Sequence, residues 1–304
     1  KNMTVKEALE HIKEIGLNKE TIYTCYVTDY KRKLDGIVSL RNLVVSDPDK
    51  SIMDIAFEEV IYVETHDDQE TVANIFKKYG FMALPVVDKE HRLTGIITFD
   101  DIMDVMEEEA TEDFQRMAAM VPSEEPYLDS GIVTLAKQRI PWLMLLMIGA
   151  TVTGKIITKF EDVLSSVVVL TAFIPMLMDT GGNSGSQSST LIIRGLATGD
   201  VELNDIWKVL WKEFRISLLV GISLATVNFA KNMLFDRVGL MVSLTVSITV
   251  ASTVMLAKIV GGTLPLIAKK FKLDPAIMAG PLITTIVDAL ALSVYFGIAS
   301  ALLM

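Results

Sequence analysis

The chain ends in a long apolar run, residues 276–304, in which Asp288 is the only charged residue. A run of this length can cross a bilayer as a helix, because in lipid only helices and closed barrels satisfy every backbone polar group. A carboxylate near the centre of such a helix costs about 3 kcal/mol on insertion scales, and ionisable residues there mark ion or substrate pathways. The run therefore predicts transport, with a carboxyl group that only caps or pairs inside a helix bundle as the alternative.

Charge divides the chain near residue 130. Residues 1–130 carry 14 Lys or Arg against 28 Asp or Glu, whereas residues 131–304 carry 14 against 10. We therefore expect an acidic soluble domain followed by a membrane domain, with the bilayer and no nucleic acid as a partner. Cys25 is the only cysteine, so no disulfide can form within one chain, which suits a reducing cytosol.

Five membrane spans are predicted, at residues 140–157, 163–178 with an extension, 216–234, 238–268 and 276–303. If the acidic domain is cytosolic, nine Lys or Arg of the membrane domain lie on the cytosolic side and four on the outer side, in agreement with the positive-inside rule. Five spans then put the C-terminus of this multi-pass cell-membrane protein outside the cell. Lys258 lies within the fourth span, where it could snorkel, pair with a carboxylate or line a wet cavity.

The soluble part contains a repeat. Residues 34–43, LDGIVSLRNL, recur 59 positions later at 93–102 as LTGIITFDDI. Each copy predicts a β-branched strand after a glycine turn, leading into a helix. With amphipathic helices predicted at 5–15 and 69–79, the pattern resembles a tandem pair of α/β CBS domains, at residues 1–55 and 56–105.

CBS pairs usually sense a ligand. In that family a Ser/Thr-x-x-Asp step often holds the ribose and phosphate of a nucleotide, and Thr98 with Asp101 matches it, whereas Ser39 with Asn42 matches only weakly. The resemblance thus implies ATP as a candidate ligand. The alternative is that Thr98 ends a strand and Asp101 caps the next helix.

The densest charge block follows the second repeat, at residues 100–113, and includes no Lys or Arg. At helical spacing four of these carboxylates fall on one face, where like charges oppose the helix unless something neutralises them: Asp101, Asp104, Glu108 and Glu112. A hard divalent cation such as Mg²⁺ would do so. We predict a connecting helix at 100–122, with a solvated acidic helix surface as the alternative to a cation site.

The second predicted span carries the segment 175–187, PMLMDTGGNSGSQ. Its proline and glycines predict an interrupted helix, since unwound backbone at membrane depth is tolerated where it is buried or faces a wet cavity. Exposed carbonyls there could accept hydrogen bonds from a hydrated cation. Close helix packing, with serines bonding across helices, is the alternative.

The chain resembles MgtE-type magnesium channels in several segments: residues 175–198, the motifs at 274–276 and 280–282, and Asp288. The acidic run at 109–113 is similar to the connecting helix of that family. The resemblance implies a homodimer with an all-α membrane domain of five helices, residues 127–304, whose second and fifth spans line a pore for divalent cations. The residues it assigns to a largely hydrated Mg²⁺ in the pore are Asp288, Asn183, Gly182 and Pro175.

The resemblance also implies regulation, in which cytosolic Mg²⁺ bridges the acidic residues and closes the pore. The candidate sensor ligands are Asp100, Asp101, Asp104, Glu108, Glu112 and Asp113. Family members commonly carry a further acidic helical domain before the CBS pair, and without it we expect weaker gating.

Two functions other than a channel are considered. They are an H⁺- or Na⁺-coupled divalent cation transporter and a membrane receptor that binds a nucleotide and transports nothing. No catalytic motif is visible, so we expect no enzyme.

Overall fold

A computed structural model of the chain describes residues 2–123 and 125–304. It forms two compact units, Lys1–Ala110 and Thr111–Met304. The first unit contains both strands and helices, whereas the regular structure of the second is helical.

The first unit repeats a strand-strand-helix order. Its elements are α1 (Val5–Ile15), β1 (Thr24–Thr28), β2 (Leu34–Ser39), α2 (Leu40–Val45), β3 (Val63–Glu64), α3 (Gln69–Tyr79), β4 (Ala83–Val87), β5 (Leu93–Thr98) and α4 (Phe99–Met117), which continues past the end of the unit. β1 pairs antiparallel with β2, and β4 pairs parallel with β3 and antiparallel with β5. The helices predicted at 5–15 and 69–79 are confirmed.

The sequence repeat places equivalent residues in two separate cores. Leu43 in α2 and Ile102 in α4 occupy the same repeat position, and both are buried. Leu43 packs with Val27 and Val38, whereas Ile102 packs with Phe76 and Leu84. The repeat therefore specifies two small hydrophobic cores of similar construction.

The second unit is a set of long helices. They are α5 (Ile132–Lys159), α6 (Glu161–Ser166), α7 (Ile174–Thr198), α8 (Ile206–Leu234), α9 (Leu240–Lys270) and α10 (Gly280–Leu303). Within the described residues, four helical stretches are long and apolar enough to cross a membrane: Ile132–Lys159, Leu203–Leu234, Leu240–Lys270 and Gly280–Leu303. These correspond to the first, third, fourth and fifth predicted spans. The second predicted span, 163–178 with its extension, falls on α6, a 3₁₀ stretch and α7, and none of these is among the four.

The predicted interruption at Gly181 and Gly182 is wrong, because α7 is one continuous helix through both glycines. Its carbonyls there are engaged in helical hydrogen bonds and cannot serve an ion as unwound backbone would. The chain breaks earlier, in a 3₁₀ stretch at Val168–Phe173.

The glycines of α7 allow close helix packing. A Cβ atom on Gly182 would lie 2.9 Å from the Thr284 methyl group of α10, and one on Gly261 of α9 would lie 2.2 Å from the Gly185 carbonyl oxygen. α7 can therefore approach both neighbours only because these positions lack side chains.

Candidate functional site: the polar faces of α7 and α10

α7 has one exposed polar face. Five polar residues spaced three or four positions apart share it, and all are exposed within one chain: Asp179, Asn183, Gln187, Thr190 and Arg194. We call this set the polar stripe. The opposite face of α7 is buried and carries small and aliphatic residues. Helical spacing thus separates a packing face from a hydrophilic one along the whole helix.

Asp288 lies on α10 beside the polar stripe. Its side chain is half-buried, and the preceding Val287 packs where Gly181 and Gly185 of α7 leave room. Thr284 of α10 packs on Gly182, so Asp288, one helical turn further along α10, lies level with the part of α7 that carries Asp179 and Asn183. Asn183 donates a 3.0 Å hydrogen bond from its amide Nδ2 to Asp179 Oδ1. Two carboxylates and an amide therefore meet on one side of the α7–α10 pair.

This donor set suits a hydrated divalent cation. Mg²⁺ typically binds through one or two carboxylates and keeps several of its waters. Among the described residues of one chain, no three His, Cys, Asp or Glu side chains come together as a metal cluster.

The four predicted pore residues differ in their location and exposure. Asp288 and Asn183 lie near Asp179, and Pro175 is exposed near the start of α7. Gly182 is buried against Thr284. Sequence reasoning missed Asp179, although its position four residues before Asn183 already put both on one helical face.

The predicted sensor residues lie on α4. Asp100, Asp101, Asp104 and Glu108 are exposed along the helix. Asp101 accepts hydrogen bonds from the Thr98 hydroxyl and, at 3.0 Å, from the Thr98 backbone N–H. These bonds, the hydroxyl one first, lower the pKa of the Asp101 carboxyl. Thr98 and Asp101 thereby close the turn from strand to helix, as in the structural alternative to nucleotide binding.

The end of α4 is tied to the 3₁₀ turn Pro275–Met278 that precedes α10, and both lie in the second unit. Arg116 pairs with Glu112 on its own helix and with Asp274. Asp274 also accepts a 2.8 Å hydrogen bond from the Ala276 backbone N–H. Burial disfavours the charged guanidinium, but the two carboxylates outweigh it and raise the pKa of Arg116. Sequence reasoning did not identify this link.

A second polar network is buried away from the polar stripe. Glu213 of α8 and Lys258 of α9 are 6% and 5% exposed. Ser188 of α7 donates a 2.6 Å hydrogen bond to Glu213 Oε2, and Lys258 Nζ lies 3.5 Å from the Ser188 hydroxyl. Lys258 is therefore buried in a polar network and is linked to the Glu213 carboxylate through the Ser188 hydroxyl, without a direct ion pair among the described residues.

α8 and α9 bring these groups together as an antiparallel pair. A Cβ atom on Gly262 would contact Glu213 Cγ at 3.0 Å, and Asn228 donates to the Ser247 hydroxyl at 3.3 Å. Both contacts agree with a single antiparallel alignment of α8 and α9, so buried polar residues lie at two levels of the interface between these helices.

The first unit contains a cavity of about 290 Å³ beside β1 and α1. His11, Cys25 and Tyr26 line it together with aliphatic residues. Burial, followed by the charge of the Cys25 thiolate, raises the pKa of the Tyr26 phenol to about 12. Among the described residues, the buried Tyr26 hydroxyl has no hydrogen-bond partner. The wall of the cavity thus offers a phenol hydroxyl as a possible polar contact for a molecule bound there.

Comparison with known proteins identifies the relatives. The MgtE family model, described as a divalent cation transporter, matches residues 174–298, and the CBS domain model matches residues 52–108. The curated magnesium transporter MgtE of Thermus thermophilus is 40% identical over 99% of this chain and 66% of its own length. That of Bacillus subtilis is 37% identical over 98% and 65%. The chain therefore spans about two thirds of the length of these two relatives.

A solved structure of the cytosolic domain of the Mg²⁺ channel MgtE in complex with ATP also aligns. It is 47% identical over 34% of this chain and 42% of that one, with a TM-score of 0.34. The curated relatives are named as transporters, in agreement with the prediction that the chain is not an enzyme.

The buried network predicts a charge-balance effect. Replacing Lys258→Met leaves the Glu213 carboxylate buried without its cation, which should destabilise the fold by about 3 kcal/mol or more. The double variant Lys258→Met, Glu213→Gln buries no charge and should recover most of this loss. The thermal unfolding midpoint of detergent-purified protein measures both, with the exposed Lys155→Met as the control. An unchanged midpoint in Lys258→Met alone would contradict an electrostatic link between Lys258 and Glu213 through Ser188.

Proposed function

We propose, from the premise that this chain belongs to the MgtE family of divalent cation transporters, that it is a channel carrying Mg²⁺ across the cell membrane along α7 and α10. The observation that carries the proposal is the polar stripe beside Asp288. Such a surface cannot face lipid at acceptable cost, because each unsatisfied polar group in hydrocarbon costs several kcal/mol. It requires water or another polar protein surface.

A second copy of the chain would provide that surface. In a symmetric homodimer the two stripes face each other across a two-fold axis, which creates a path lined by both copies of α7 and α10. α7 then serves as a fifth span in spite of its polarity. Its 25 residues give a helix of about 37 Å, long enough to cross the hydrocarbon core.

The chemistry of the path follows from the reluctance of Mg²⁺ to lose water. Two Asp288 carboxylates supply a charge density that favours a divalent over a monovalent ion. Asn183 and Asp179 offer hydrogen bonds to ion-bound water. Gly182 contributes by bringing α7 close to α10, and Pro175 lies at the end of the same face. The ion thus passes with most of its shell intact.

The orientation proposed from the Lys and Arg distribution puts the first unit in the cytosol and the C-terminus outside. α4 then senses the cytosolic Mg²⁺ concentration because six of its carboxylates bind the ion: Asp100, Asp101, Asp104, Glu108, Glu112 and Asp113. Ions that bridge these carboxylates favour a closed arrangement, and their removal restores repulsion and opens the path. The Arg116–Asp274 pair supports this coupling, because it joins the end of α4 to the 3₁₀ turn that leads into α10.

The cavity in the first unit supports a regulatory nucleotide, for which ATP is the candidate. The unpartnered Tyr26 hydroxyl and the neighbouring His11 would be its polar contacts. The predicted pair Thr98 and Asp101 remains the second candidate position, with its carboxylate already bonded to the threonine.

The pore proposal predicts that Asp288→Ala reduces Mg²⁺ entry to the level of empty liposomes while the dimer still assembles, because the ion loses its central charge. Entry is measured with an internal Mg²⁺ dye at matched protein incorporation. Asp162→Ala, which removes an exposed carboxylate of α6, should conduct normally. Normal entry in Asp288→Ala would overturn the assignment.

The sensor proposal predicts that Asp100→Asn, Asp104→Asn and Glu108→Gln together raise the Mg²⁺ concentration for half-maximal protease protection of the first unit by about ten-fold. Lower charge density on α4 weakens bridging by the ion. A matched triple variant at the exposed Glu10, Glu58 and Glu59 controls for net charge. If both triple variants shift equally, the effect is not specific to α4.

A further inference from the structure

A cavity of about 280 Å³ lies between the end of α4 and the start of α5, within the second unit. Its wall is amphipathic. Met120, Val121 and Leu135 supply an apolar surface, and Glu125 and Arg139 supply opposite charges. The volume is near the lower end of the range for small-molecule sites, which usually combine an apolar lining with a few placed polar groups.

The segment that follows α4 is bonded to both helices that flank the cavity. Gln115 of α4 donates to the Ser123 carbonyl at 3.0 Å and accepts from the Ser123 N–H at 2.6 Å. The Val121 N–H donates to the Gln138 carbonyl of α5 at 3.0 Å. The cavity is therefore preformed and connects the two helices.

The cavity is lined by residues from the beginning of the first candidate span, α5. Arg139 immediately precedes the apolar stretch of α5, and the nearby Tyr127 is exposed, as is common for aromatic residues at membrane interfaces. Leu143 and Met147 follow Arg139 at helical spacing on the same face, and both are exposed. An apolar track thus leads from the cavity toward the membrane interior.

The charges of the cavity are available to a ligand. Glu125 and Arg139 are exposed, and neither side chain has an ion-pair partner among residues 2–123 and 125–304. A guanidinium fork matches phosphate oxygens, and a carboxylate accepts hydrogen bonds from an ammonium group. One cation, one anion and an adjoining apolar track complement a zwitterionic phospholipid.

We propose that this cavity binds the headgroup of phosphatidylethanolamine. Arg139 holds the phosphate, Glu125 holds the ammonium, and the acyl chains run along Leu143 and Met147. Because the cavity contacts both α4 and α5, the bound lipid fixes the end of α4. Its influence on pore closure rests on the proposed function, whereas lipid binding does not.

Native mass spectrometry of the full chain, purified from bilayers of equal phosphatidylethanolamine and phosphatidylcholine, tests the site. Wild type should retain phosphatidylethanolamine, and Arg139→Gln should reduce its occupancy by about ten-fold because a charge-assisted phosphate contact is lost. Lys137→Gln, an exposed cation two residues away that does not line the cavity, should retain it. No retention in wild type, or equal occupancy in all three proteins, would overturn the proposal.

A second variant distinguishes recognition of the ammonium group from recognition of the phosphate. Phosphatidylglycerol offers the same phosphate without an ammonium, so wild type should prefer phosphatidylethanolamine to it. Glu125→Gln should abolish that preference while retaining lipid. A preference unchanged in Glu125→Gln would overturn the assigned headgroup. Because occupancy is measured without ion flux, failure of the transport proposal would not affect either result.

Discussion

Polar groups inside a hydrocarbon layer must find polar partners, and this constraint organises the second unit. α8 buries Glu213 and Asn228 against α9 and exposes Leu219 and Ile222, the reverse of a helix in a soluble protein. α7 is the exception, because its polar stripe is exposed within one chain. The proposed homodimer removes this exception by joining two stripes around a water-filled path.

Helix packing and one ion pair connect that path to the rest of the molecule. Gly185 and Gly261 let α7 and α9 approach with almost no side-chain separation, so α7 sits in a rigid frame. α4 is a continuous helix whose first part carries exposed carboxylates and whose end is held by the Arg116–Asp274 pair. In the proposed gating, this pair is the contact through which a change in charge on α4 would act on α10.

Local patterns in the sequence predicted local structure well. Residues 5–15 and 69–79 are helices because their apolar residues recur at helical spacing and caps begin them. The interruption of α7 could not be decided from sequence, since glycine serves both unwound backbone and close packing. The Ser188–Glu213 bond and the Arg116–Asp274 pair join residues far apart in the chain, so they emerge only from the tertiary fold.

The most direct test of the central claim is whether the polar stripe faces water inside the bilayer. Gln187→Cys can be made in a Cys25→Ser background, which leaves one thiol per chain. A membrane-impermeant thiosulfonate should modify this thiol in liposomes and block Mg²⁺ entry. Leu219→Cys, on the exposed apolar face of α8, should not react. An unreactive thiol at position 187, or modification that leaves Mg²⁺ entry unchanged, would contradict a path along α7.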